Sequence, residues 1–317
     1  MKTQLKRFGL SMIVVTILTV LAACGSSDKG NGQKSEPTAS PVSETITYSA
    51  SNGDIVIPKK PKKIALLADV YYGYFLELGY NPIAVTDYAI QNPFYKGLTD
   101  GVVNLGDGSS LELLLELEPD LIVAYSGNKA VDELQKIAPT VLIEYGKLNY
   151  KQQLKELGVM TGTEAKADEW IASWNKRIEQ AKPSILDKVG ERTVSIIQPL
   201  KSGMYVYGNS YGRGGEILYD EFGLKAPDLV QKEAIDSGVG YTEISLEKLP
   251  EFAGDYIFTA PWTTEISGGT VYESSLWKDL PAVKQNRVFE FDPIGFYFND
   301  PISMSAQLDF FIEHLTK

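Results

Sequence analysis

Ser110-Leu111-Glu112-Leu113-Leu114-Leu115-Glu116 recurs 135 residues later as Ser245-Leu246-Glu247-Lys248-Leu249-Pro250-Glu251. The correspondence continues without a gap. Asp120 and Ile122 of Pro119-Asp120-Leu121-Ile122-Val123 fall, at the same offset, on Asp255 and Ile257 of Gly254-Asp255-Tyr256-Ile257-Phe258. Each copy reads as a short helix feeding a buried strand. Upstream, Glu77-Leu78-Gly79 with Pro82 echoes Glu221-Phe222-Gly223 with Pro227, a helix end closed by glycine ahead of the next strand. Downstream, Glu144-Tyr145 echoes Glu290-Phe291. Landmarks repeated in one order predict an α/β chain of two similar lobes.

Between the copies, Ala167, Trp170, Ile171, Trp174, Ile178 and Ala181 recur at helical spacing, and Pro183 is expected to stop the pattern. Thr161 and Glu164 read as a capping box. About 19 helical residues would span roughly 28 Å, long enough to run along both lobes.

Outward from this centre, the N-terminus carries Lys2, Lys6 and Arg7 ahead of an uncharged, mostly apolar run from Phe8 to Ala23. A basic head, an apolar stretch and small residues before a cut are the parts of a secretion signal, and the run is a little short for a permanent membrane span. Leu21-Ala22-Ala23-Cys24 resembles the bacterial lipobox, whose cysteine is acylated, with chains such as palmitate, and becomes the first residue after cleavage. Cys24 is the only cysteine, so no disulfide can form within the chain. From Gly25 the sequence is polar, small and Pro-containing, which describes a tether rather than a core. The expected organisation is a signal at 1–23, lipidated cysteine and tether at 24–45, an N-terminal lobe at 46–162, a connecting helix at 163–185 and a C-terminal lobe at 186–317.

The formal charge of -11 becomes -14 once the first 23 residues, which contain three bases and no acid, are removed. So acidic a surface argues against nucleic acid as a partner.

Candidate chemistry concentrates in Met204-Tyr205-Val206-Tyr207-Gly208-Asn209-Ser210-Tyr211-Gly212-Arg213-Gly214-Gly215-Glu216. It reads as a strand, a glycine-rich turn and a helix from about Glu216 to Phe222. Open α/β sheets bind ligands outside the carboxyl ends of their strands, and here Tyr211 offers an aromatic face and Arg213 a guanidinium. The same stretch contains Gly208-Asn209-Ser210-Tyr211-Gly212, a G-x-S-x-G pattern. A serine esterase using Ser210, Asp300 and His314 is therefore an alternative. Against it, His314 is the only histidine, lies in an apparent helix begun by Asp300 and Pro301, and no HGGG-type oxyanion motif is present. One histidine and an acylated cysteine offer little for direct metal ligation, no P-loop or G-x-G-x-x-G occurs, and no resident cofactor is expected. Any metal handled would arrive wrapped in an organic ligand.

Lipobox, tether, two similar lobes and a long helical connector together resemble the siderophore-binding lipoproteins of bacterial ABC importers, over nearly the whole mature chain. Gly53-Asp54-Ile55-Val56-Ile57-Pro58, followed by Pro61-Lys62-Lys63-Ile64, is similar to that family's opening strand pair, and Tyr205 to Glu216 resembles its ferric hydroxamate branch. The resemblance implies a class III periplasmic-binding-protein-like fold and a receptor at the extracytoplasmic face of the cell membrane, monomeric and without catalysis of its own. It implies that Tyr205, Tyr211 and Arg213 line the C-terminal side of a ligand pocket, with tyrosine at 211 where the branch often has tryptophan. Tyr145 and Tyr297 match two further pocket aromatics. It further implies that Glu112 and Glu247 meet arginines on the two permease subunits. A ferric tris-catecholate is a trianion and would need several cations, whereas outside the signal the chain has only Arg177, Arg192, Arg213 and Arg287 as arginines. A neutral or weakly charged ferric hydroxamate is the expected ligand, with catecholate, citrate or haem complexes as alternatives.

Overall fold

Strand order carries the internal repeat into three dimensions. In the N-terminal half, β3 (Ile64–Leu66), β4 (Ala84–Val85), β5 (Val103–Asn104), β6 (Leu121–Tyr125) and β7 (Thr140–Ile143) form a wholly parallel sheet in the order β5-β4-β3-β6-β7. In the C-terminal half, β8 (Val194–Pro199), β9 (Met204–Tyr207), β10 (Tyr241–Ile244), β11 (Tyr256–Thr259) and β12 (Val288–Glu290) follow the same order, β10-β9-β8-β11-β12. The computed structural model describes residues 44–201, 203–261 and 269–316. Cys24, the signal segment and the tether up to residue 43 lie outside the described residues.

Two lobes of mixed helix and sheet result. Leu121 to Ala124 are all fully buried, as a parallel strand covered on both faces requires. The repeated aspartates do the same work in both lobes. Asp120 accepts from the backbone N–H of Lys62 and Lys63 at 2.8 and 2.9 Å, tying it to the start of β3. Asp255 accepts from Thr193 N at 2.8 Å, just ahead of β8. A hairpin of β1 (Thr45–Ala50) and β2 (Gly53–Pro58) lies against the exposed edge at β7, where Ser51 N donates to Leu142 O at 3.1 Å and Asn52 Nδ2 to Thr140 O at 2.9 Å.

The two sheets differ in strand direction on one side of their first strand. β8 turns straight back into β9, so β9 is antiparallel to it and β10 antiparallel to β9. Lys225, just past the Gly223 helix end, makes one parallel bridge to Thr193. A parallel partner beside the first strand, which is β4 in the N-terminal lobe, is thus reduced here to a single residue pair.

The connecting helix departs from expectation at both ends. It runs from Glu164 to Val189, about 39 Å at 1.5 Å per residue, with Pro183 inside it rather than at its end. Ile178, Ile185 and Val189 are buried on either side of the proline, and that packing outweighs the one backbone hydrogen bond a proline removes. Nor does the capping box form. The preceding helix, Tyr150–Thr161, includes Thr161, whose hydroxyl donates to Leu157 O at 2.7 Å, and Gly162 ends that helix in the left-handed conformation.

A second element also joins the lobes. The C-terminal helix, Pro301–Thr316, packs Phe311 on Phe258 of β11 at 4.9 Å, yet its first turn is anchored in the N-terminal lobe. Asp300 caps it, accepting from Ile302 N and Ser303 N, and takes the Tyr95 hydroxyl on its other oxygen at 2.6 Å. Tyr74 donates to Asn299 O, and Asn92 to the Ser303 hydroxyl, both at 3.0 Å. Gly73 makes room for this junction, since a Cβ there would lie 1.7 Å from Asp300 Oδ1.

Candidate functional site

β9 delivers the glycine-rich turn to the cleft between the lobes. Period-two alternation puts Tyr205 and Tyr207 on one face of it, and Tyr241 of β10 pairs in register with Tyr207. The turn places four consecutive residues in left-handed backbone: Tyr211 (φ 67°), Gly212 (77°), Arg213 (59°) and Gly214 (82°). Glycine adopts these angles freely; tyrosine and arginine do so at a steric cost, so strain is stored at two candidate contact residues. At Gly212 the missing Cβ would stand 2.6 Å from Tyr297 O, and at Gly214 it would stand 2.3 Å from the Phe311 ring. Those close approaches hold the turn against the segment bearing Tyr297 and against the C-terminal helix. After the turn, Glu216–Glu221 form one wide helical turn of π type, shorter and looser than the helix expected.

Arg213 is buried at 5% exposure. Its Nε donates to Gln198 Oε1 at 3.2 Å and one terminal nitrogen donates to Tyr211 O at 3.0 Å. The guanidinium lies between two rings, 4.7 Å from the centre of Tyr207 and 4.9 Å from that of Tyr297. Below the turn, Glu216 accepts on one oxygen from Gly212 N at 3.0 Å and from Asn299 Nδ2 at 3.1 Å. Burial pushes its carboxyl above the ordinary value, and the Gly212 N–H pulls the other way.

The five residues expected to line the pocket fall in one aromatic cluster. Tyr145, at the end of β7, meets Tyr211 across the cleft at 5.6 Å, and its position depends on Gly146, where a Cβ would stand 2.9 Å from the Tyr211 hydroxyl. Tyr211 contacts Tyr241 at 6.0 Å, and Tyr241 contacts Tyr205 at 5.2 Å. Tyr297 meets Tyr88 of the N-terminal lobe at 5.2 Å. Sequence reasoning passed over Tyr207, Tyr241, Tyr88 and Tyr125, the last of which meets Tyr145 at 6.2 Å. Of these, only Tyr207 carried a readable signal, its spacing of two from Tyr205 on a strand. Burial lifts the phenols of Tyr207 and Tyr297 to about 12 and that of Tyr145 well above its usual value. These rings are therefore neutral hydrogen-bonding and stacking groups at ordinary pH, not phenolates.

Glu112 and Glu247 are exposed, each in the first turn of the short helix that opens its repeat copy. The Ser245 hydroxyl and Glu247's own backbone N–H lower the Glu247 carboxyl, the backbone bond being the larger effect. The esterase constellation does not assemble. Asp300 is committed to Tyr95 and to its helix cap, and His314 Nδ1 lies 2.8 Å from Phe310 O with its ring against Phe289 and Phe310.

A family model described as periplasmic binding protein matches residues 64–294, which contain every strand of both five-stranded sheets and the connector between them. The chain belongs to the periplasmic binding protein family. Within it, this binding protein is 49% identical over 313 residues, 98% of each chain, to the iron(3+)-hydroxamate-binding protein FhuD of Bacillus subtilis. It is 36% identical to the iron(3+)-hydroxamate-binding protein YxeB of the same organism, over 97% of this chain and 96% of that one. Among solved structures, it matches FhuD2 of Staphylococcus aureus with bound ferrioxamine B at a TM-score of 0.75 and 32% identity, covering 81% of this chain and 98% of that one. A Bacillus subtilis FhuD-fold component of a ferrichrome ABC transporter matches at a TM-score of 0.82 and 51% identity, over 85% of this chain and all of that one.

Proposed function

We propose that this chain is a lipid-anchored, extracytoplasmic receptor that captures ferric hydroxamate siderophores between its lobes and delivers them to an ABC permease. The observation that carries this reading is the cleft itself: tyrosines from both lobes around one sandwiched guanidinium, on a chain 49% identical to an iron(3+)-hydroxamate-binding protein. Aromatic rings and a single arginine suit a chelate of low net charge, whose carbonyl oxygens accept from Arg213 while its carbon skeleton stacks on Tyr145, Tyr205, Tyr211 and Tyr297. Iron arrives with its own six oxygen ligands, and the protein contributes shape and hydrogen bonds rather than coordination or catalysis.

Glu112 and Glu247 dock the monomeric receptor on the two permease subunits, one from each lobe. Cys24 carries the acyl chains, and the tether keeps the lobes near the importer. The test is a fluorescence titration against a panel of ferric chelates. Saturable quenching by one or more ferric hydroxamates is expected; tight binding of a catecholate or haem with no response to any hydroxamate would overturn the reading.

A further inference from the structure

Among the described residues, five buried side-chain polar atoms have no hydrogen-bond partner within the protein, and four belong to residues lining one cavity. They are the Tyr71 hydroxyl, Gln153 Nε2, Glu216 Oε2 and Asn299 Oδ1. Buried polar atoms of a folded protein are rarely left alone, so four at one place mark a site built to meet something. Three of the side chains are more than nine-tenths buried: Tyr71 at 1% exposure, Glu216 at 4% and Gln153 at 5%.

The cavity holds about 200 Å³, room for about six water-sized groups at ~30 Å³ each. It lies between the lobes, with Tyr71, Tyr74 and Gln153 on one side and Glu216, Asp220 and Asn299 on the other. Tyr145 and Tyr211 line it too, so the ring pair that meets across the aromatic cleft also walls this chamber. Its acidic lining comes from Glu216 and Asp220, and among the described residues no lysine, arginine or histidine lines it. Asn299 cannot turn its amide around freely, because its Nδ2 donates to Glu216 Oε1 at 3.1 Å. Its Oδ1 is thereby an acceptor. Together with Glu216 Oε2 and the oxygen of Tyr71 that makes three acceptors, the number of N–H donors on a primary ammonium.

We propose that this chamber takes the primary-ammonium end of a siderophore's side arm, threaded between Tyr145 and Tyr211 while the ferric centre stays in the aromatic cleft. The proposal rests on the reading that the ligand is a ferric hydroxamate, and it narrows that class to members with an aminoalkyl arm. An ammonium taken out of water needs a carboxylate and further acceptors around it, and the chamber supplies both.

Two ligands separate this proposal from its parent: a linear ferric trihydroxamate ending in a primary amine, and the same chelate with that amine acetylated. Wild-type protein should bind the amine form about tenfold more tightly, as one charge-assisted contact warrants. Tyr71→Phe deletes a hydroxyl that none of the described residues uses, and a melting curve checks that the fold survives. This variant should lose several-fold in affinity for the amine form, with the acetylated form unchanged. Equal affinity of wild-type protein for the two chelates, or an equal fall for both in the variant, would sink the ammonium chamber and leave the hydroxamate reading standing. Failure of both chelates to bind wild-type protein would bring down the hydroxamate reading and this proposal with it.

Discussion

Arg213 is positioned before any ligand arrives. Gln198, the Tyr211 carbonyl and two tyrosine faces hold its guanidinium, so little side-chain entropy remains to be lost on binding. Arg213→Ala should weaken ferric hydroxamate binding by about 2 kcal/mol, roughly 30-fold in Kd, the worth of a hydrogen bond to a charged group. Unaltered affinity in a titration of that variant would remove Arg213 from the site.

Glu216 supports the same turn from beneath and has a pH signature. Because burial raises its folded-state pKa, its contribution to stability is complete below the unfolded value and is lost as pH rises through the folded one. Glu216→Gln keeps an acceptor oxygen and never ionises. Its melting temperature should therefore gain on wild type as pH rises from about 4.3 to neutrality; a constant difference would place the cost elsewhere. Of these two residues, only Arg213 was legible in the sequence. A glycine-flanked arginine after an aromatic strand advertises itself, whereas the importance of Glu216 depends on Asn299, 83 residues away.

At the scale of elements, the repeat and the glycine helix ends at Gly79 and Gly223 are legible in the sequence, whereas the proline stop and the capping box are not. The 135-residue offset corresponds to two sheets of equal strand order, and its paired aspartates have a structural duty, each tying the strand it precedes to the approach of β3 or β8. Pro183 misled because proline's effect on a helix is local, while the burial of Ile178 and Ile185 around it is set by tertiary packing. The side chain of Pro183 is exposed. Pro183→Ala should accordingly restore a backbone hydrogen bond without opening a cavity and stabilise the protein by about 1–3 kcal/mol. A chemical-denaturation curve showing no gain would mean that the helix is already adapted to the proline. The antiparallel turn from β8 into β9 had no signal in the repeat at all, since it falls in the stretch between landmarks.

On the whole molecule, the two exposed glutamates stand one on each lobe at matching places in the repeat. Replacing Glu112 and Glu247 together by alanine should leave ligand affinity intact and abolish uptake of the radiolabelled ferric chelate into cells. Normal uptake by the double variant would refute the docking role. Such a two-point contact works only if the spacing between the glutamates is the same each time the receptor arrives, and the structure provides for that in two places. The connecting helix spans the lobes on one path, and the first turn of the C-terminal helix, latched by Asp300 to Tyr95, joins them on another.

That second latch sets a rule for anyone turning the protein into an iron-chelate sensor. Dyes placed one on each lobe would change their separation too little to give a useful energy-transfer signal. A single environment-sensitive dye beside Tyr241, half-exposed at the rim of the aromatic cluster, is the placement that converts occupancy into light.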